Sequence, residues 1–197
     1  MQVFTSLSDA ELLKFLQNGA VGVMPTDTLY GVVCRAADPH AVARLYELKS
    51  RERKPGTVIA ATIEQLVELG VKARYLKAVE QFWPGAVSVQ LPLDNSLSYY
   101  HQGVFHGAFR IPDNAEICAL LEQTGPLLTS SANQPGGPPA TNIAEARAYF
   151  GDQVDFYVDG GDLSGRGPST VLRVVDDAIE ILREGTVKID EDGRVIK

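Results

Sequence analysis

Little sulfur and little histidine narrow the chemistry open to this chain. Its 197 residues hold two cysteines, Cys34 and Cys118, and three histidines, His40, His101 and His106. The cysteines stand far apart without CxxC spacing, which reads as two reduced, packed thiols rather than a disulfide scaffold. His101 and His106 have neither HExxH spacing nor a companion cysteine, so no metal site is expected. The nucleotide loops GxxxxGK[ST] and GxGxxG are absent, and so is the GxSxG elbow; "GDLSG" around Ser164 has no glycine at the required offset. No carboxylate pair suited to glycosidic chemistry stands out. No apolar run approaches the ~20 residues of a membrane helix, and "MQVFTSLSDAELLK" lacks the basic start and apolar centre of a signal peptide. A cytoplasmic protein without membrane contact is the expectation.

What is present is ordinary globular composition, 45% hydrophobic and 22% charged, at a length that suits one domain over 1–197. A net charge of −7 argues against general attraction to nucleic acid or anionic membrane. One segment reverses that sign. In "KSRERK", residues 49–54, four cations face the single carboxylate of Glu52.

Helix and strand signals alternate along the chain. Residues 8–19 read as a helix opened by a capping box of Ser8 with Glu11 and closed at Gly19. Asp38 and Pro39 start a second helix to 49, Thr62 with Gln65 a third to 70, Asp113 a further one to 125, and Asn142 one to 151. Leu76, Val79 and Phe82 predict another, ended by "WPG". Strands are predicted at 20–24, 57–61, 86–91, 104–111, 126–129, 154–158, 169–174 and 179–184. The last stretch, "VKIDEDGRVIK", reads as a hairpin around "EDGR" or a mobile tail. These elements make an α/β fold: a single-domain twisted mixed sheet with flanking helices, the strand-rich last third excluding a pure βαβ winding.

Four segments are chemically loaded: "PTDTLYG" (25–31), "KSRERK", "SSANQPGGPPAT" (130–141) and "GRGPSTV" (165–171). Each is read as opening where an apolar strand ends, which is where ligands gather in open α/β sheets. A proline turn with an Asx-type bond from Asp27 would account for part of the first, but not for Thr26, Thr28 and Tyr30 together. Basic residues in the last turn of a helix complement its dipole, so "KSRERK" taken alone reads as a solvated helix end. "SSAN" is either a capping cluster or a set of donors and acceptors for phosphate, ribose or amino-acid groups. Any nucleotide must therefore be held by arginine, lysine and hydroxyl groups from several loops.

Taken in order, "PTDTLYG", "ELKSRERKP", "FWPG", "FRIP", "TSSANQPGGPPAT", "PSTV" and "ILREG" resemble the YrdC-like family over nearly the whole chain. These are the threonylcarbamoyl-AMP synthases that begin the threonylcarbamoyladenosine modification of tRNA. The resemblance implies a deep central cavity and three substrates, ATP, L-threonine and bicarbonate, with Mg²⁺ accompanying ATP. Carried over by position, Thr28, Arg110, Ser131 and Ser169 are the implied threonine contacts, Arg110 pairing the carboxylate. Arg51, Lys54, Asn133, Thr141 and Arg183 are the implied ATP contacts, with Lys49 and Arg51 as the catalytic pair facing the phosphates. In that setting the basic run reads as a polyphosphate clamp. Three positions depart from the usual pattern: Glu52 where proline is common, Ile59 where a polar threonine contact can occur, and His106 where threonine is common.

Tyr99 and Tyr100 beside His101 are candidates for base stacking, and RNA binding is an open alternative for the basic run. Two competing readings are a family paralogue with altered or lost activity and an RNA-binding or ribosome-assembly module. RNA affinity carried by phosphate contacts would fall steeply with salt, whereas ligand binding in a closed cavity would not. Proteins that complete the tRNA modification are the partners the resemblance implies.

Overall fold

Alternating apolar and polar positions dictate a sheet with two different faces, and the computed structural model describes it for residues 1–50, 53–175, 178–190 and 193–196. The strands are β1 (Gln2–Phe4), β2 (Gly22–Pro25), β3 (Tyr30–Arg35), β4 (Thr57–Ile59), β5 (Val87–Pro92), β6 (His106–Arg110), β7 (Leu127–Ser131), β8 (Phe156–Val158), β9 (Thr170–Val175) and β10 (Ala178–Arg183). They form one sheet in the order β1-β8-β2-β3-β7-β4-β6-β5-β9-β10. Pairing is mixed: β4 with β6 and β5 with β9 run parallel, whereas β2–β3, β3–β7, β5–β6 and β9–β10 are antiparallel. The helices are α1 (Ala10–Gln17), α2 (Pro39–Leu48), α3 (Ile63–Leu69), α4 (Ala73–Lys77), α5 (Ser98–His101), α6 (Ala115–Thr124) and α7 (Ile143–Phe150). Strands β11 (Lys188–Ile189) and β12 (Val195–Ile196) pair antiparallel, so the terminal stretch is the hairpin. No helix among the described residues is long and apolar enough to cross a membrane.

One face of the sheet packs Val23, Val32, Val58, Val89 and Phe109 against buried residues of α2, α3, α4, α5 and α7. The opposite face packs Met24, Val33, Ile59 and Leu127 against Leu12 and Leu16 of α1 and Ile117, Leu120 and Leu121 of α6. That second cover stops short. Beyond it the same face continues through β6, β5 and β9 with Ala108, Arg110, Ser88, Gln90, Ser169 and Val171, and there a hollow replaces a helix.

Several local expectations need correction. The cap of α1 is Asp9, which accepts from the Glu11 N–H at 2.8 Å, and the helix ends at Gln17 rather than Gly19. Asn114, not Asp113, caps α6 by accepting from the Ile117 N–H. The predicted helix through Leu76, Val79 and Phe82 breaks into α4 and a turn of 3-10 helix at Glu80–Phe82. Strand β6 starts at His106, not 104, and α5 lies inside what read as a loop. Strand β3 was not expected: Pro25 and Tyr30 close a β2–β3 hairpin around residues 26–29. "KSRERK" follows helix α2, not a strand. Thr62, Asp38 and Asn142 cap as expected.

Candidate active site

The hollow measures about 240 Å³ and opens over the polar continuation of the sheet. Five of the expected contacts line it: Thr28, Arg110, Ser131, Ser169 and Arg183. Thr26, Thr57, Gln90, Thr129 and Ser130 join them. Its described lining contains no Cys, His, Lys, Asp or Glu side chain.

The loop over the hollow is built by its first threonine. Thr26 Oγ1 donates to the Leu29 carbonyl at 2.6 Å and accepts from the N–H groups of Thr28 and Leu29. This hydroxyl turn satisfies the tip of the β2–β3 hairpin internally, and Thr28, whose Oγ1 shares a 3.2 Å hydrogen bond with Thr26 Oγ1, lines the hollow. Gly31 is required next to it, because a Cβ there would stand 2.3 Å from Thr129 Oγ1. The opening motif is therefore a hairpin tip wedged against β7.

Asp27, from the same tip, meets Arg110 from β6: Arg110 Nη2 donates to Asp27 Oδ1 at 2.7 Å, with the two side chains 6% and 4% exposed. Arg110 Nη1 donates to Ser88 Oγ at 3.1 Å, and Ser88 Oγ shares a hydrogen bond with Ser169 Oγ at 2.9 Å. Arg183 Nη2 donates to both Ser169 O (2.8 Å) and Ser169 Oγ (3.1 Å). The result is a continuous polar chain, Asp27–Arg110–Ser88–Ser169–Arg183, across three strands and two loops. Arg110 Nε and Asp27 Oδ2 are buried without a hydrogen-bond partner. A half-satisfied buried pair is costly, and each unpaired atom of this kind calls for a partner such as a ligand, an ion or a water.

Arg183 reaches this chain because of an irregularity in β10. Ile181 pairs with Leu172, yet Arg183 pairs with Val171, so one extra residue is inserted between them. Without that bulge, strict alternation would put Arg183 opposite Thr170 and on the opposite face. The chain then turns tightly at Gly185, where a Cβ would come within 2.3 Å of the Ser169 backbone.

Lys49 ends α2 and is buried beneath the third loaded loop. Its Nζ donates to Ser131 O (2.7 Å), to Asn133 Oδ1 (2.8 Å) and to the Asn133 carbonyl. Asn133 Oδ1 also accepts from Ser131 Oγ at 2.8 Å, and its Nδ2 donates to Gly137 O at 2.6 Å. Lys49 and Asn133 thus form the post of the loop that carries Ser131. Three expected ATP contacts stand off the lining: Asn133, within that post, Lys54 and Thr141. Lys54 is exposed, with its backbone N–H directed to Gln102 Oε1, and Thr141 is tied to Glu145 Oε2 at the start of α7. Those donations hold the Glu145 carboxyl below its ordinary range. Arg51 and Glu52 lie outside the described residues.

Of the three departures, Ile59 is packed in the core under α1 and α6 and does not reach the hollow. His106 lies on the cavity face beyond Ala108, where burial and the nearby Arg173 push its pKa down. Tyr100 is buried, its hydroxyl donating to Gly56 O, so it offers no face for base stacking. Both cysteines are free, and burial drives the Cys34 thiol pKa far up, which leaves it inert. Among the described residues no group of three or more His, Cys, Asp or Glu is placed to hold a metal ion.

Ser88 and Gln90 were missed by sequence reasoning. Their signal was the alternation in "AVSVQL": two polar positions, two residues apart, on one face of an otherwise apolar strand.

The fold is shared with known proteins. A family model named Sua5_yciO_yrdC and described as "Telomere recombination" matches residues 14–185. A curated relative from Vibrio campbellii, named threonylcarbamoyl-AMP synthase, is 32% identical over 89% of this chain and 97% of its own. Among solved structures, P. abyssi Sua5 complexed with L-threonine superposes with a TM-score of 0.84 at 25% identity, over 96% of this chain. This chain spans only 59% of that protein. E. coli YciO gives a TM-score of 0.79 over 94% of this chain and 96% of its own, at 24% identity, which speaks to the fold alone. On the family match and the relative's identity together, this chain belongs to the Sua5/YciO/YrdC family.

Proposed function

We propose that this protein is an L-threonylcarbamoyladenylate synthase, a nucleotidyltransferase that forms threonylcarbamoyl-AMP and pyrophosphate from L-threonine, bicarbonate and ATP. The product would feed the threonylcarbamoyladenosine modification of tRNA. The observation that carries this reading is the lining itself: hydroxyls, one carboxamide and two arginines, with no Cys, His, Lys or carboxylate among the described residues. A site so built suits a reaction whose nucleophile and electrophile are both substrates, with the protein supplying position and charge.

In this reading Arg110 takes the threonine carboxylate, for which its planar fork is suited. Thr28, Ser131 and Ser169 fix the remainder of the amino acid. The threonine amine attacks bicarbonate, forming the N–C bond of the carbamate and releasing water. A carbamate oxygen then attacks the α-phosphorus of ATP as the bond to pyrophosphate breaks. The amine must first lose its proton. A pKa one to two units above ambient costs about 1.4–2.8 kcal/mol, within reach of cationic surroundings.

Arg183, Asn133 and the basic run with Lys49, Arg51 and Lys54 are assigned to ATP. Mg²⁺ would arrive with the triphosphate and neutralise its charge there; the described lining offers no carboxylate to hold it, so the phosphates would be its ligands. Lys49 supports the Ser131–Asn133 turn in this scheme and is thereby a positioning residue for both substrates.

The test is pyrophosphate release by purified protein with ATP, Mg²⁺, threonine and bicarbonate. Release that requires both threonine and bicarbonate supports the proposal. Equal release without threonine would overturn it.

A further inference from the structure

Gln90 is the one carboxamide facing the hollow among its described residues, and neither the fold nor the site chemistry above has used it. It lies on β5, paired with Ala108 of β6 on one side and Arg173 of β9 on the other. Among the described residues its amide makes no side-chain hydrogen bond. Its neighbours explain why. Ala108 is too small to reach it, and the Arg173 guanidinium is engaged by Glu180 at 2.6 Å. A polar side chain on a strand that otherwise alternates Val, Ser, Val and Leu is therefore left open to whatever fills the hollow.

Its place in the same lining as the carboxylate anchor narrows what that is. Ser88, which accepts from Arg110 Nη1, lies two residues before Gln90 on the same face of β5. One such repeat is about 6.8 Å. In threonylcarbamate, three bonds of about 1.3–1.5 Å separate the carboxylate carbon from the carbamate carbon. The carbamate C–O bond and a hydrogen bond of about 3 Å bring the total reach to the scale of that repeat. The carboxamide contributes two N–H donors without net charge, so it orients a small anion without binding it as tightly as an arginine would.

We propose that Gln90 is the residue that receives bicarbonate and holds the carbamate formed from it, its Nε2 donating to a carbamate oxygen and turning the other oxygen toward the α-phosphorus. No bond to Gln90 forms or breaks. The inference rests on the synthase reading above and adds a residue to it.

The experiment is initial-rate pyrophosphate release with each substrate varied in turn, on the parent protein, Gln90→Leu and Gln90→Glu. Gln90→Leu keeps the bulk and removes the donors, and half-saturation by bicarbonate should rise at least tenfold while those for threonine and ATP stay within twofold. Gln90→Glu places a like charge against the carbamate and should raise it further. Thermal melting accompanies each variant, and either one alone suffices for the reading if the other does not fold. An unchanged bicarbonate dependence in a folded variant overturns the inference and leaves the synthase reading standing. A rise confined to ATP also overturns it, because it would place the amide on the nucleotide. Failure of the parent protein to release pyrophosphate from these substrates would overturn the synthase reading itself and, with it, this inference.

Discussion

Arg110→Gln separates what Arg110 does for the fold from what it does for the ligand. The guanidinium stands 2.7 Å from the Asp27 carboxylate with both side chains almost fully buried. Removing one partner of such a pair leaves the other charge buried and uncompensated, at a cost of about 3–5 kcal/mol. At about 2–4 °C per kcal/mol for a domain of this size, the melting temperature should fall by about 6–20 °C. The double variant Asp27→Asn with Arg110→Gln replaces the ion pair by two amides and removes the stranded charge, so most of that loss should return. Threonine binding should not return with it. Loss of a buried charge-assisted contact to a carboxylate costs about 2–5 kcal/mol, which is about thirtyfold or more in affinity. Differential scanning calorimetry reads the first quantity and isothermal titration with threonine the second. If Arg110→Gln melts within 1 °C of the parent, or the double variant binds threonine normally, the assignment of Arg110 as a buried carboxylate anchor is wrong.

Lys49→Met removes the donor that holds Ser131 O and Asn133 Oδ1. Stability should fall by about 3 kcal/mol in urea unfolding, and affinity for ATP should fall at least tenfold in nucleotide titration. Arg51→Ala should abolish pyrophosphate release with the melting temperature unchanged; near-normal turnover would remove Arg51 from the phosphate clamp. His106, its pKa held below 6.5 by burial and then by Arg173 and His101, imposes a pH dependence. In that window the unfolded chain binds the proton more readily than the folded one, so stability rises with pH and is lost as pH falls below about 6.5. His106→Gln should flatten the slope of unfolding free energy between pH 5 and 7, and an unaltered slope would contradict this.

The parts of the fold written in short-range signals were legible in the sequence. Asp38, Thr62 and Asn142 cap helices because each places a side-chain acceptor over the first free N–H groups. The mixed sheet followed from the alternation of elements. Strand β3 was hidden because its first residues, Tyr30 and Gly31, belong to the motif that drew attention as a loop, and the apolar run Val32–Cys34 behind them is short. Ser8 and Asp113 lost their caps to the residues immediately after them, a one-position choice that local composition does not decide.

The site was legible as a set of loops but not as a network. Asp27 and Arg110 are 83 residues apart, and only the sheet order brings β6 beneath the β2–β3 tip. The bulge that turns Arg183 inward leaves no composition signal at all. Lys49 read as half of a pair facing the phosphates because it belongs to a basic run. Its burial beneath the Ser131–Asn133 turn depends on where α2 ends relative to β7, which is a tertiary fact.

A hollow whose described lining holds no Cys, His, Lys or carboxylate joins ATP, bicarbonate and threonine by attack of one substrate on another. The most direct measurement of this reaction uses ¹³C-labelled bicarbonate with ATP and threonine, following label in the nucleotide product by NMR and mass spectrometry alongside pyrophosphate. One labelled carbon in a threonine–AMP conjugate is expected for every pyrophosphate released. Pyrophosphate formed with no label in the nucleotide product would contradict it.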